Sequence, residues 1–251
     1  MSKRKRVDDE LQAFYEELQA EEQRQPQQQT AAAPAIDLST MTVELVAKHV
    51  ARLQGMPLPL QQALCDGLLP FAEPQPDDTA PSFFTADNEK TRKTDMLHLG
   101  KHYVGQRLRE LGAVPLLIQR VAAEAQRVAA EGGLRLPCPP LEMVDVAVVN
   151  AYRGSAKLGL HADRASARHP GTPVVAVSLG DSAEFVWKRS WRRSLPLERL
   201  VLRSGDVLIF GGSARGMVHG VERILEGSGP GELRLGADPG WRRVCITCRE
   251  H

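Results

Sequence analysis

Beyond Pro140 the chain falls into five short runs rich in β-branched and apolar residues, and this pattern constrains the fold more than any other feature. The runs span residues 143–152, 174–179, 183–187, 201–210 and 244–249, with Gly, Pro and Ser-Gly turns between them. Short strands at this spacing point to a sandwich or jelly roll rather than to a parallel α/β sheet. At 251 residues the chain can bury a sizeable core, as one large domain or as one domain with an appendage.

The residues before 140 read differently. Lys3, Arg4, Lys5 and Arg6 open the chain as a basic cluster, followed by acids and a Gln-rich stretch. Such a cluster is a nuclear address signal or a solvated charge run, so nuclear and cytoplasmic placements are both expected, with mitochondrial placement also open. Leu11, Phe14, Tyr15 and Leu18 share one helical face, so residues 8–24 can form a short amphipathic helix suited to docking a protein partner. Residues 25–34 read as a linker. Val46, Val50 and Leu53 have helical spacing and stop at Gly55, which predicts a helix over 43–54. A second short helix is expected over 60–69 and a loop over 73–78. A clear helix is expected over 115–130, with Pro115 in its first turn, Leu117, Val121, Ala125 and Val128 on its apolar face, and a Gly132-Gly133 stop. The predicted class is α+β, with helices flanking a C-terminal all-β core.

Composition excludes little. Lys+Arg total 32 and Asp+Glu 31, a net charge of +1, so any basic footprint for nucleic acid must be local. Four cysteines, the lack of a signal-peptide pattern and the lack of an apolar run of about 18 residues lead to the expectation of a soluble intracellular protein with free thiols and no membrane contact. The oligomeric state is not legible.

Within residues 158–166, LGLHADRAS, a histidine and an aspartate stand two residues apart. On a strand, residues i and i+2 point to the same face, so His161 and Asp163 can aim an imidazole and a carboxylate at one point. A third ligand must come from elsewhere. His219, in GMVHGV, follows the run ending at Phe210 and has apolar neighbours. Two histidines and one carboxylate form the facial triad of non-haem Fe(II) oxygenases. A lone His-x-Asp is more often a surface or hydrogen-bonded pair. The β-rich context, the later histidine, and the late arginines Arg243 and Arg249 favour the metal reading. A buried arginine would fork onto the carboxylate of an acidic cosubstrate.

Four motifs in order, NAYRGSAKLGLHADR (150–164), VVAVSLGDSAEF (174–185), LRSGDVLIFGGSARGMVHGV (202–221) and RVCITCRE (243–250), resemble the AlkB family of Fe(II)- and 2-oxoglutarate-dependent dioxygenases. The likeness covers roughly residues 143–251, with a further hint in MLHLGKHY (96–103), and is nearest the eukaryotic homologue-1 subgroup. The resemblance implies a double-stranded β-helix that holds iron through His161, Asp163 and His219. It implies that Asn150 and Tyr152 donate hydrogen bonds to 2-oxoglutarate, that Arg243 pairs with the cosubstrate's distal carboxylate, and that Arg249 is a second basic group nearby. With O2 as second cosubstrate, the implied reaction hydroxylates an N-methyl group on a DNA or RNA base. The hemiaminal then collapses to formaldehyde and the bare nitrogen, with succinate as coproduct. The resulting organisation is a basic tail over 1–35, helices and a nucleotide-recognition lid over 36–140, and a dioxygenase core over 141–251. Two departures stand out. Cys245 occupies a place where the family usually carries Asn, and Ala165 and Ser166 stand where bacterial members carry an acidic residue that helps read the base.

Cys245 and Cys248 spell CxxC, but an i, i+3 pair on a strand points to opposite faces and no second CxxC completes a zinc site. The strongest basic stretch is WKRSWRR (187–193). Lys188, Arg189, Trp191 and Arg192 there suit phosphate contact with base stacking, against the plainer alternative of a solvated turn with Trp187 packed inward. Lys90, Arg92 and Lys93 precede the expected lid, in which His102 and Tyr103 are candidate stackers on an extruded base. Two other functions compete: hydroxylation or demethylation of protein side chains or lipids, and a nucleic-acid-binding module without turnover.

Overall fold

The computed structural model describes residues 36–72, 81–86, 94–104, 107–166, 169–236, 238 and 240–251; the side chains of 103–109 are outside that description. The Lys3–Arg6 cluster, the 8–24 helix, the 25–34 linker, the 73–78 loop and the Lys90, Arg92 and Lys93 group lie outside the described residues. Asp37–His251 forms one compact unit.

The strands are β1 (Thr42–Ala47), β2 (Val50–Gln54), β3 (Phe84–Ala86), β4 (Thr94–Val104), β5 (Arg107–Leu111), β6 (Val146–Arg153), β7 (Leu158–His161), β8 (Val174–Gly180), β9 (Ser182–Lys188), β10 (Glu198–Leu202), β11 (Val207–Phe210), β12 (Val218–Leu225) and β13 (Trp241–Arg249). Helices α1 (Leu58–Asp66) and α2 (Leu116–Glu131) complete the frame. Nine strands form a large sheet in the order β1-β2-β11-β8-β13-β6-β4-β3, with β5 on β4, and four form a small sheet in the order β10-β9-β12-β7. The described pairings are antiparallel, and the two sheets make the jelly roll of a double-stranded β-helix.

Burial explains the strand sequences. β6 reads VAVVNAYR and is buried at every position but the last, because it pairs with β13 and β4 in the middle of the large sheet. A strand covered on both faces needs apolar residues on both, not alternation. Helix α2 supplies cover for that sheet, packing across β2, β8, β11 and β13. Its buried face is Ile118, Val121, Ala122, Ala125, Val128 and Ala129, with Gln126. The small residues on this face let the helix approach the sheet closely. Leu117, assigned to that face from spacing, is only half-buried, and Ile118 takes its place.

Three expectations need correction. Residues 43–54 form the β1–β2 hairpin, not a helix. Val50, Ala51, Arg52 and Leu53 are buried in succession because β2 lies between β1 and β11, so the helical spacing of Val46, Val50 and Leu53 was coincidental. His49 turns the hairpin at φ 67. The single run 201–210 is two strands in different sheets: β10 in the small one and β11 in the large one. Gly205, at φ 78, turns the corner, and Asp206 Oδ2 accepts the Arg203 amide at 2.9 Å. Finally, the segment 36–140 contributes five strands as well as its two helices, and all five join the large sheet. LHLGKHY is part of β4, hydrogen-bonded to β6.

Between the sheets lie two apolar clusters. One holds Val50, Val174, Phe185, Trp187, Leu202, Leu208, Phe210, Ala214 and Met217. The other holds Tyr152, Ala156, Ala183, Val221 and Ile224.

Candidate active site

A cavity of about 340 Å³ opens between the sheets and draws its walls from both clusters. Alternation on the large sheet lines it with Arg243, Cys245, Thr247 and Arg249 from β13, and with Val148, Asn150 and Tyr152 from β6. Register sets these in rows: Tyr152 beside Arg243, Asn150 beside Cys245, Val148 beside Thr247. Met96 and His98 of β4 extend the rows, opposite Asn150 and Val148.

The small sheet supplies the metal ligands. His161 at the end of β7 is in register with His219 on β12, and their ring centroids lie 4.5 Å apart. Gly220 permits this approach, since a Cβ there would stand 2.5 Å from the Leu158 carbonyl oxygen. Asp163 Oδ2 lies 3.7 Å from His219 Nε2, and one ligand atom from each of the three residues falls within 4.8 Å of the others. Both rings face a carbonyl through Nδ1, His161 to Gly159 at 3.0 Å and His219 to Met217 at 3.3 Å. A carbonyl only accepts, so Nδ1 carries the proton and Nε2 presents its lone pair to a metal.

Asp163 is not aimed by a strand. β7 ends at His161, and Asp163 lies in the irregular segment 162–166. The i, i+2 reasoning reached this pair through a pleat that stops two residues short of Asp163. Arg249 Nη1 instead donates to Asp163 Oδ1 at 2.9 Å. Burial alone would favour the neutral acid. Arg249, then His219, His161 and Arg215, outweigh it and hold the Asp163 carboxyl below the usual carboxylate range. Burial, opposed by Asp163, pushes His219 down to about 4, so its ring is neutral at pH 7, as a ligand must be.

At the other end of the cavity Arg243 is 1% exposed. Its hydrogen bonds go to neutral acceptors: the Asp181 carbonyl at 2.9 Å, the Leu202 carbonyl at 3.2 Å and Ser178 Oγ at 2.7 Å. Arg243 Nε has no partner, nor do Asn150 Oδ1 and Asp163 Oδ2, all buried and all on residues that line this cavity. Buried polar atoms are rarely left so. A divalent cation at Asp163 Oδ2 and a dicarboxylate accepting from Arg243 Nε satisfy two of the three; Asn150 Oδ1, an acceptor, needs a donor that a carboxylate does not supply. Tyr152 is fully buried beside Arg243, and burial pushes its phenol well above the usual range, so it remains a neutral donor.

Cys245 lines the cavity while Cys248 is fully buried and does not, as strand alternation requires of the CxxC pair. Cys245 Sγ has only a 3.9 Å contact with Thr247 Oγ1, a weak substitute for an amide donor. Burial raises the pKa of its thiol.

Other assignments shift. His102 is buried, and its Nε2 bonds the Leu99 carbonyl at 2.9 Å. It lies parallel beneath His98, centroids 4.4 Å apart, so the more accessible ring of this pair is His98. Burial, then His102 and Arg249, push His98 down to about 4 and keep it neutral. Phe84 meets the His98 ring edge-on at 5.2 Å. Alternation from Met96 could have found His98. The side chain of Tyr103 is outside the description. Lys188, the last residue of β9, and Arg189, Trp191 and Arg192, on the connection to β10, stand outside the cavity; Trp187 is packed inward and Trp191 is 60% exposed. Lys188 is in register with Val218, the neighbour of His219, so this connection begins one residue from a metal ligand. Sequence reasoning also missed Arg215, which is buried four residues before His219.

A two-histidine, one-carboxylate centre with a buried arginine for a dicarboxylate, set in a double-stranded β-helix, defines a non-haem iron oxygenase that uses 2-oxoglutarate. A model of the 2OG-Fe(II) oxygenase superfamily matches residues 59–249, and the chain belongs to that superfamily. Over 145 residues it is 37% identical to DNA N(6)-methyladenine demethylase ALKBH1C of Arabidopsis thaliana, a match covering 53% of this chain and 30% of that one. Over 105 residues it is 43% identical to the alpha-ketoglutarate-dependent dioxygenase AlkB homolog of Caulobacter vibrioides, covering 42% of this chain and 44% of that one. The solved structure of OsALKBH1 superposes with a TM-score of 0.68 at 27% identity, covering 84% of this chain and 100% of that one. The chain thus spans less than half the length of these two curated relatives.

Proposed function

We propose that this protein removes N-methyl groups from DNA or RNA bases by iron- and 2-oxoglutarate-dependent hydroxylation. The observation that carries the reading is a single cavity with a metal triad at its centre, a buried arginine at one end and a stacked imidazole pair at the other. The names of the relatives, a DNA N(6)-methyladenine demethylase and an AlkB homolog, support the same chemistry.

His161 and His219 through Nε2, and Asp163 through Oδ2, would hold the iron. Arg243, with Asn150 and Tyr152, would hold 2-oxoglutarate. Bound together, iron and 2-oxoglutarate supply the O2-dependent hydroxylation of an unactivated methyl group. The chain's own residues do the rest. Neutral His98, backed by His102, offers a flat polarisable face for a heteroaromatic ring, and the apolar walls from Phe185, Leu208 and Phe210 exclude water. Outside, Lys188, Arg189, Arg192 and Arg193 would grip phosphates, and exposed Trp191 would stack on an adjacent base. An unpartnered, buried Asp163 Oδ2 favours a loaded, working centre over a binding module without turnover.

The test is release of formaldehyde from N-methylated DNA and RNA oligonucleotides with Fe(II), ascorbate and 2-oxoglutarate. Stoichiometric formaldehyde is expected from at least one methylated strand. In the same assay, His98→Ala should raise KM for the oligonucleotide by roughly 5- to 150-fold, the range of about 1–3 kcal/mol for one stacked base. Succinate formed at equal rate with and without any methylated nucleic acid, and no formaldehyde, would remove the nucleic-acid reading and leave protein or lipid substrates.

A further inference from the structure

Asp163 must place Oδ2 toward the two imidazoles, yet it stands on a segment that belongs to no strand. Arg249 sets the rotation of its carboxylate through Oδ1. At its far end, three residues beyond Asp163, the segment is tied through Ser166, whose Oγ donates to the His251 carbonyl at 3.0 Å. Arg215 reaches it from the opposite side. It is 3% exposed, and it follows the 3-10 turn Gly212–Ala214. Its Nη1 donates to the Asp163 carbonyl at 3.1 Å and its Nη2 to the Arg164 carbonyl at 2.5 Å. The loop that carries Arg215 is itself pinned to the frame: the Gly211 amide bonds the His49 carbonyl at 3.2 Å, and the Gly212 amide bonds the Gly171 carbonyl at 2.8 Å.

We infer that Arg215 is a positioning residue for the metal centre, a planar fork that ties the backbone of the aspartate ligand to the loop leading into the strand of the second histidine. Two consecutive carbonyls accept from the two Nη groups of one guanidinium, a fork that an ammonium does not reproduce. The same arginine brings positive charge to Asp163, with Arg249 on its other side. Arg215 is not among the residues that line the cavity. Its effect passes through Asp163 alone, so it controls metal affinity first and the cosubstrate requirement only as a consequence.

The experiment measures binding of Mn(II), as an inert surrogate for iron, by the electron paramagnetic resonance signal of the free ion, and records the visible spectrum of the Co(II) form. Outer partners of metal ligands set affinity by roughly 10–100-fold, and Arg215→Ala should weaken Mn(II) binding by about that factor. Arg215→Lys, which keeps the charge but not the fork, should recover only part of it, with a Co(II) spectrum altered from wild type. Val121→Ala, in the fully buried face of α2, serves as a control that loses thermal stability and keeps Mn(II) affinity. Affinity of Arg215→Ala within about twofold of wild type, full recovery in Arg215→Lys, or an equal loss in Val121→Ala would each overturn the inference. Should Arg215→Ala fail to fold, the lysine variant decides alone. A wild-type protein that binds no Mn(II) would instead remove the metal assignment itself, a distinct result.

Discussion

At Arg243 a cation is buried with neutral partners only, and that imbalance fixes its behaviour. Burying an uncompensated charge is costly, so the site is built to receive an anion. Removing one partner of a buried, hydrogen-bonded charge pair costs about 2–5 kcal/mol. Arg243→Ala should therefore raise the 2-oxoglutarate concentration for half-maximal turnover roughly 30-fold or more, at about 1.4 kcal/mol per tenfold. Mn(II) affinity should change far less, because Arg243 touches none of the three ligands. A steady-state titration of 2-oxoglutarate checks this, and an unchanged curve moves the anchoring role to another cation. Cys245 sits beside this anchor in register with Asn150.

Among the elements, the connection between β9 and β10 has the most to do outside the cavity. β9 places Trp187 inward, in register with His219, and the chain then leaves the sheet with Arg189, Trp191, Arg192 and Arg193 exposed. A turn that merely closed a hairpin would have no need of this composition beside a metal ligand. Changing Lys188, Arg189, Arg192 and Arg193 together to Ser should weaken oligonucleotide binding. It should also flatten the log–log salt dependence by roughly one unit or less for each phosphate that is no longer neutralised. Turnover of 2-oxoglutarate without nucleic acid should be spared, since these side chains stand outside the cavity. Binding equal to wild type across a salt series would reduce the stretch to a surface turn.

The molecule as a whole closes around polar groups that no protein atom satisfies. Asp163 Oδ2, Asn150 Oδ1 and Arg243 Nε are buried without partners in one cavity between two sheets. Ligands that bind only the folded state stabilise it by mass action, about 2.7 kcal/mol at a hundredfold excess over Kd. For a chain of this size each kcal/mol shifts Tm by about 2–4 °C. Mn(II) with 2-oxoglutarate, each at saturating concentration, should raise Tm by roughly 5–10 °C, and chelation should return it to the starting value. Calorimetry is the check; an unmoved Tm would mean that the two sheets do not close around these ligands. No helix among the described residues is long and apolar enough to cross a membrane.

By itself the sequence determined what local rules can reach. A period of two brought His161 and Asp163 together, residue type added His219, and the roles of Asn150, Tyr152, Arg243 and Arg249 came from the resemblance of four motifs to a known family. The long helix was legible from Pro115 to its double-glycine stop, because one face of a surface helix is buried and the other is not. Tertiary structure decided the rest. Residues 50–53, buried in succession, show no strand period, so the 43–54 hairpin was hidden in the sequence and emerges only with the pairing of β11 and β2. The run 201–210 was split because its two halves have different neighbours, β9 in the small sheet and β2 with β8 in the large one. His98 joined His102 in the cavity wall because one ring lies over the other. Arg215 reaches Asp163 across 52 residues of chain, an interaction that no periodicity encodes, since it exists only once the sheets have closed.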